Sequence, residues 1–161
     1  MHVNDLARFI NNASFEQLSE DTVKQLKIRL LDSMGTALGA LGGEPIQKLR
    51  TMMDDFGGAP RSTLIGGGQT TPDRAAFYNS ALVRYLDYND SYLAKGETGH
   101  PSDNIGAVLA AAEDAGGDGT GLLVAIAIAY HVQCRLSDEA PVRDKGFDQT
   151  TQGSYAVAAG V

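Results

Sequence analysis

One polar segment, DYNDSYLAKGETGHPSDN at residues 87–104, holds the residue types that general acid–base chemistry uses. His100 carries an imidazole, a side chain that can both donate and accept a proton, and Pro101 restricts the backbone next to it. If the preceding helix continues to about residue 90, Asp87 and Ser91 lie one turn apart and present a carboxylate and a hydroxyl on the same face. These three side chains are therefore candidates for proton transfer.

The same segment holds groups that could bind a ligand with carboxylates. Ser102, Asp103 and Asn104 precede a predicted helix, and the free N–H groups and dipole of a helix start favour an anion. Lys95 could add a positive charge. In a simpler interpretation, Ser102 or Asp103 only caps the helix, Asp90 closes the preceding one, and Lys95 points into water. The histidine and the nearby aspartates could also supply metal ligands, but they match no recognised ligand spacing. A metal site is therefore only weakly supported.

Composition argues against several classes of protein. The chain has 161 residues, of which 43% are hydrophobic, and a formal net charge of −7. Its 13 Lys and Arg residues are scattered, whereas nucleic-acid binding depends on clustered cations. The single cysteine, Cys134, cannot form a disulfide or a multi-thiolate metal site within the chain. The sequence lacks a signal-peptide pattern, and its longest apolar run, residues 122–132, is short for a membrane span. We therefore predict a cytoplasmic protein that contacts neither membrane nor nucleic acid.

Apolar residues recur at helical spacing along most of the chain, which predicts an all-α fold, an irregular multi-helix bundle. Ser19 is suited to cap a long helix, and Pro45 and Pro72 are suited to the first turns of the next two. Gly35 and Gly39 indicate close helix packing rather than a dinucleotide site, because no strand precedes them. The predicted helices cover residues 20–42, 45–56, 72–88, 104–115 and 120–136, followed by a small-residue helix near the C-terminus, with no sheet of three or more strands.

Four segments of the sequence form a recognisable set: LDYNDSY, GHPSDNIGAVLAAAE, LLVAIAIAYHVQCRL and KGFDQTTQGSYAVAAG. Together they resemble the MmgE/PrpD family, whose best-known members are 2-methylcitrate dehydratases, and the HPSDN part is specific. The family has an all-helical domain and a smaller α+β domain. The resemblance implies that residues 1–161 form only the N-terminal part of the helical domain, in line with a C-terminus that lacks helix-stopping residues.

The resemblance also implies roles for individual residues. Asp87, Ser91 and His100 would line the active site as catalytic residues, and a second polar loop, KGFDQTT, would border it. Family members often have a histidine in that loop, where this chain has Asp148 and Gln149. The predicted substrate-binding residues are Asp90, Lys95, Ser102, Asp103, Asn104, Lys145, Asp148 and Thr150.

We therefore expect a lyase that dehydrates a small polycarboxylate similar to 2-methylcitrate. The family resemblance implies that proton transfer proceeds without a metal or organic cofactor and that the protein forms a homodimer. A related epimerase, isomerase or decarboxylase acting at the same site is a second hypothesis. A helical binding or assembly module without catalytic activity is a third.

Overall fold

A computed structural model describes residues 3–161, which form an all-α fold, as the sequence predicts. Two short antiparallel hairpins interrupt the helices, and neither gains a third strand within this range. The hairpins pair β1 (Ser62–Thr63) with β2 (Gln69–Thr70), and β3 (Tyr92–Ala94) with β4 (Glu97–Gly99). The α-helices in residues 3–161 are α1 (Val3–Asn12), α2 (Glu20–Ala40), α3 (Glu44–Phe56), α4 (Pro72–Tyr85), α5 (Ile105–Asp114), α6 (Gly119–Glu139) and α7 (Thr150–Gly160).

The helices predicted from apolar periodicity are confirmed, with boundaries that differ by three residues at most. The Ser19 side chain accepts a hydrogen bond from the Thr22 N–H at 3.1 Å and so caps α2. Pro72 occupies the first turn of α4, where its missing N–H would have no helical partner. Helix α1 and both hairpins were not predicted. No residue of α1 is fully buried, and each strand has only two or three residues, too few for a periodic signal.

The core consists of three clusters of buried side chains that follow the helix contacts. The first joins the second half of α2 to α3 and α4, and Ile46 and Leu82 are fully buried within it. The second joins the first half of α2 to α5 and α6 around Ile126, and the third packs α7 against α6. Each buried aliphatic side chain of this size contributes roughly 1.5–3 kcal/mol relative to an exposed one. The clusters hold α4, α5 and α6 together beneath the segment of residues 86–104.

Helices α4 and α5 approach closely at Gly106. A Cβ at this position would lie 2.4 Å from the Ser80 backbone nitrogen, so only glycine fits. The prediction that Gly35 and Gly39 serve close packing is wrong for Gly35, since a Cβ there would meet no atom within 4 Å. Gly39 would meet only the Leu86 side chain, at 3.2 Å. The sequence spacing thus indicated the wrong helix contact.

Helix α6 is long and apolar enough to cross a membrane, judged by its 21 residues and composition alone. The core helix of a water-soluble protein passes the same test. In this structure α6 packs against α2, α5 and α7, and Ile126 and Ala129 are completely buried in these contacts. A role as a packed core helix therefore accounts for its apolar composition.

Candidate active site

Helix α4 ends earlier than predicted, which separates two of the candidate catalytic residues. Its last residue is Tyr85, and Asp87 adopts the left-handed conformation with φ +52°. No other described residue except glycine has a positive φ. The left-handed residue ends the helix, because the chain then turns away from the helix axis. The prediction that Asp87 and Ser91 share one helix face is therefore wrong.

The β3–β4 hairpin returns the chain so that His100 lies beside Asp90 and Ser91. The Nδ1 atom of the imidazole lies 2.7 Å from the Asp90 backbone carbonyl oxygen and 3.4 Å from the Ser91 hydroxyl oxygen. A carbonyl oxygen can only accept, so Nδ1 carries the proton in this contact. Neutral His100 then has its lone pair on Nε2. The fold therefore presents an imidazole in one tautomer whose Nε2 can accept a proton.

The second polar loop contacts His100 through Gln149. The side-chain oxygen of Gln149 accepts the His100 backbone N–H at 2.8 Å, and Gln149 is 7% exposed. Gly99 allows this approach, since a Cβ there would lie 3.1 Å from the same oxygen atom. This contact brings the HPSDN and KGFDQTT segments together.

A buried carboxylate holds the two polar segments together. Glu97 on β4 accepts the backbone N–H groups of Val142 and Arg143 at 2.8 and 3.3 Å, and its side chain is fully covered. Burial raises the pKa of Glu97, but the two N–H donors and the Arg143 guanidinium outweigh it, so the pKa is lowered overall. The ionised Glu97 therefore fixes the hairpin to the chain that leads to Gln149.

Ser102, Asp103 and Asn104 do not cap α5, contrary to the simpler interpretation of the sequence. None of them makes a side-chain hydrogen bond to the start of that helix. The Asn89 amide instead donates to the Ser102 hydroxyl and to the Asp103 carboxylate, each at 2.9 Å. The buried Asn104 amide donates to the Gln133 side chain of α6 at 2.6 Å. These side chains connect the HPSDN segment to the residues before and beneath it.

Arg84 lies between two of the acidic candidates. Its guanidinium forms a hydrogen-bonded ion pair with Asp87 and lies 3.9 Å from Asp103. The hydrogen bond and charge of Arg84 lower the pKa of Asp87, and the nearby His100 adds a smaller effect in the same direction. The pKa of Asp103 is raised, because its burial outweighs the opposing charges of Arg84 and His100. Two carboxylates near the same imidazole thus differ in acidity.

The other predicted binding residues lie at the surface of the loops. Lys95 is exposed in the turn of the β3–β4 hairpin, and Lys145 is exposed in a short helical turn. Asp148 accepts the Thr150 N–H at 3.0 Å, a contact that lowers its pKa and closes the start of α7. None of these four side chains forms a hydrogen bond or ion pair with His100 in residues 3–161. Their substrate-binding roles stay predictions.

Two grooves of the described chain lie away from His100. One of about 550 Å³ is lined mainly by apolar and lysine side chains of α2, and another of about 430 Å³ lies beside Phe9 and His131. Residues 3–161 contain no group of three or more His, Cys, Asp or Glu side chains placed to hold a metal ion. Neither of these two grooves includes His100, which is half-buried.

The sequence matches a known protein family over nearly all of its length. The profile of the MmgE/PrpD N-terminal domain matches residues 4–161. The chain belongs to the MmgE/PrpD family. A 2-methylcitrate dehydratase of Salmonella typhi is 42% identical over 86 residues, which cover 52% of this chain and 18% of that protein.

Other relatives show the same partial coverage. A probable 2-methylcitrate dehydratase of Saccharomyces cerevisiae is 34% identical over 114 residues, or 69% of this chain and 21% of that protein. An alkylcitrate dehydratase of a fungus is 36% identical over 96 residues, or 55% of this chain and 18% of that protein. The matched part therefore spans about a fifth of the length of these MmgE/PrpD relatives.

Sequence reasoning missed several residues that support the candidate site of this MmgE/PrpD chain. Three of them, Tyr130, Gln133 and Ser137, recur at helical spacing along α6. Tyr130 contacts Asp90, Gln133 contacts Asn104, and Ser137 lies near Gly99. Their polarity in an otherwise apolar helix was the available signal, because buried polar side chains need partners.

The opposite pKa shifts of Asp103 and Asp87 predict opposite effects of pH on stability. Ionisation of Asp103 costs stability, so the contribution of this residue to the free energy of unfolding falls as pH rises from about 4 through the raised pKa. Asp103→Asn removes that cost and keeps an acceptor for Asn89. We expect this variant to gain stability relative to wild type as pH rises, and to show no gain near pH 3. Urea unfolding at a series of pH values measures the difference.

Asp87→Asn is the matched control for that experiment. The lowered pKa of Asp87 means that its ionised form stabilises the fold above its unfolded pKa, and this stabilisation disappears as pH falls through the folded pKa. The variant should therefore lose stability at neutral pH and match wild type in acid. Parallel pH profiles for the two variants would show that burial does not dominate at Asp103.

Proposed function

We propose that the protein contributes to a dehydratase that removes water from a small hydroxy-polycarboxylate similar to 2-methylcitrate. The observation that carries the proposal is the contact between the Nδ1–H of His100 and the Asp90 carbonyl, which leaves the imidazole lone pair on Nε2. The names of the family relatives support this reaction type and this class of substrate.

Dehydration needs one proton removed and one supplied. Nε2 of His100 takes the proton from the carbon next to a substrate carboxylate, which breaks the C–H bond and places negative charge on that carboxylate. The electron pair then forms the C=C bond as the C–O bond to the hydroxyl on the adjacent carbon breaks. The His100 imidazolium returns its proton to the leaving oxygen, which departs as water and leaves the imidazole neutral. The acidic groups around His100, Asp87 and Asp103, stabilise the imidazolium that forms.

The substrate carboxylates require cations that are not already neutralised. Arg84 is engaged by two carboxylates, so we assign this role to Lys95 and Lys145. They lie on the hairpin and on the loop that Glu97 fastens to it. Exposed lysines attract carboxylates without fixed geometry, so they contribute to binding more than to the timing of proton transfer. We also propose that the enzyme is a cytoplasmic homodimer that needs no cofactor.

Ultraviolet absorbance of intact protein mixed with small hydroxy-tricarboxylates tests the proposal. Dehydration creates a double bond conjugated to a carboxylate, so absorbance should rise with 2-methylcitrate or a close relative. A tricarboxylate without a hydroxyl group is the control, because it has no water to lose. Inversion at carbon without absorbance change would identify an epimerase, and release of carbon dioxide a decarboxylase. Absence of turnover with all of these substrates would favour a non-catalytic module.

A further inference from the structure

The conformation of His100 depends on how Asp90 is anchored. The Asp90 backbone carbonyl accepts the imidazole Nδ1–H, while its carboxylate has two partners of its own. One carboxylate oxygen accepts the Ser102 backbone N–H at 3.1 Å, and the other accepts the Tyr130 hydroxyl at 2.9 Å. The residue that orients the histidine is therefore held from both sides, by the HPSDN segment and by α6.

Tyr130 is a permanent donor in this arrangement. Burial, and then the charge of Asp90, raise the pKa of Tyr130 well above its ordinary value, so the phenol keeps its proton. Its neighbours on the same face of α6 are also polar and buried, with Gln133 2% and Ser137 1% exposed. Helix α6 thus presents buried polar side chains to the segment of residues 89–104.

We propose that Tyr130 is a positioning residue that sets the tautomer of His100 through Asp90. Its hydroxyl fixes the Asp90 carboxylate, the carboxylate fixes the peptide unit, and the peptide carbonyl holds the Nδ1–H. Free imidazole in water exchanges between tautomers, so a fixed carbonyl acceptor is what reserves Nε2 for proton acceptance. The consequence for catalysis rests on the proposed function, whereas the effect on the tautomer does not.

Nitrogen NMR of the imidazole in Tyr130→Phe tests the proposal independently of any activity. In wild-type protein with a neutral imidazole, Nδ1 should be protonated and Nε2 unprotonated. Loss of one hydrogen bond of ordinary strength corresponds to an about three- to tenfold change in the tautomer ratio toward protonated Nε2. Tyr92→Phe is the matched control, because it removes a hydroxyl bond to a surface carboxylate, that of Asp138 at 2.9 Å, without touching Asp90. It should leave the ratio unchanged.

Asp90→Asn provides a second route to the same answer if Tyr130→Phe folds poorly. Asparagine keeps only one acceptor oxygen, so it cannot hold the Ser102 N–H and the Tyr130 hydroxyl together. This variant should shift the tautomer in the same direction, and adding Tyr130→Phe to it should cause less than an additive shift, since the Tyr130 hydroxyl acts only through the Asp90 side chain. An unchanged ratio in Tyr130→Phe, additive shifts in the double variant, or a wild-type His100 protonated on Nε2 would each overturn the proposal.

In the intact enzyme the same substitution should lower kcat with little change in KM. Tyr130 acts on the base and lies under the loop, so substrate binding should be largely unaffected. A rise in KM at constant kcat would contradict the positioning role. If no substrate turns over, the NMR result still decides the inference, so failure of the proposed function and failure of this one are distinguishable.

Discussion

His100→Ala in the intact protein is expected to lower turnover by about two to four powers of ten, the usual scale for one general acid–base group. In the proposed mechanism, the Asp90 carbonyl holds Nδ1 and Nε2 accepts the substrate proton. Alanine removes the acceptor and leaves the hairpin, Gln149 and the Glu97 contact in place. Steady-state kinetics on the accepted substrate measures the loss.

The fold should tolerate this change. The side chain of His100 is half-buried and makes one short hydrogen bond, worth about 1 kcal/mol in net stability, so the melting temperature should fall by only a few degrees. His131→Ala is the matched control, because His131 lies on α6 with its ring 5.1 Å from that of Phe9 and away from the candidate site. It should keep wild-type turnover. Wild-type turnover in His100→Ala would remove the histidine from the mechanism.

The sequence predicted those parts of the fold in which local pattern and tertiary contact agree. The apolar stripes of α2 and α6 each run for 21 residues, long enough that helical periodicity is unambiguous. The β3–β4 hairpin carries no comparable signal, because its strands have three residues each and depend on partners far along the chain. Glu97, for example, is held by backbone groups 45 and 46 residues away. Such long-range pairings cannot be predicted from local sequence patterns.

In the candidate site, too, the local sequence indicated candidate residues, whereas contacts between distant residues could not be predicted. Residue type and the HPSDN motif were sufficient to select His100, and its proton-transfer role stays a prediction. The predicted helical conformation of Asp87 was wrong. Aspartate can adopt both the helical and the left-handed conformation, so the residue type alone could not distinguish them. The support for His100 by Asp90, and for Asp90 by Tyr130, spans 10 and 40 residues. Only the folded chain shows that α6 belongs to the site.

Gly106→Ala is expected to cause the largest loss of stability among the substitutions considered. The added methyl group would lie 2.4 Å from the Ser80 nitrogen and 2.7 Å from the Asn79 carbonyl carbon, both backbone atoms that no rotamer change can move. Helices α4 and α5 must then separate, which costs about 1–3 kcal/mol or more as overpacking. The gain in helix propensity from glycine to alanine, about 1 kcal/mol, offsets only part of this. Urea unfolding gives the difference in free energy.

Gly35→Ala is the matched control for that loss. It makes the same chemical change inside α2, where a Cβ meets no atom within 4 Å, so the helix-propensity gain should appear unopposed as a stabilisation of up to about 1 kcal/mol. The two variants should therefore shift stability in opposite directions. Gly106 also fixes the start of α5 directly after the HPSDN segment, so its substitution should disturb the tautomer of His100 as well. Equal shifts in both variants would show that α4 and α5 are not locked together at this glycine.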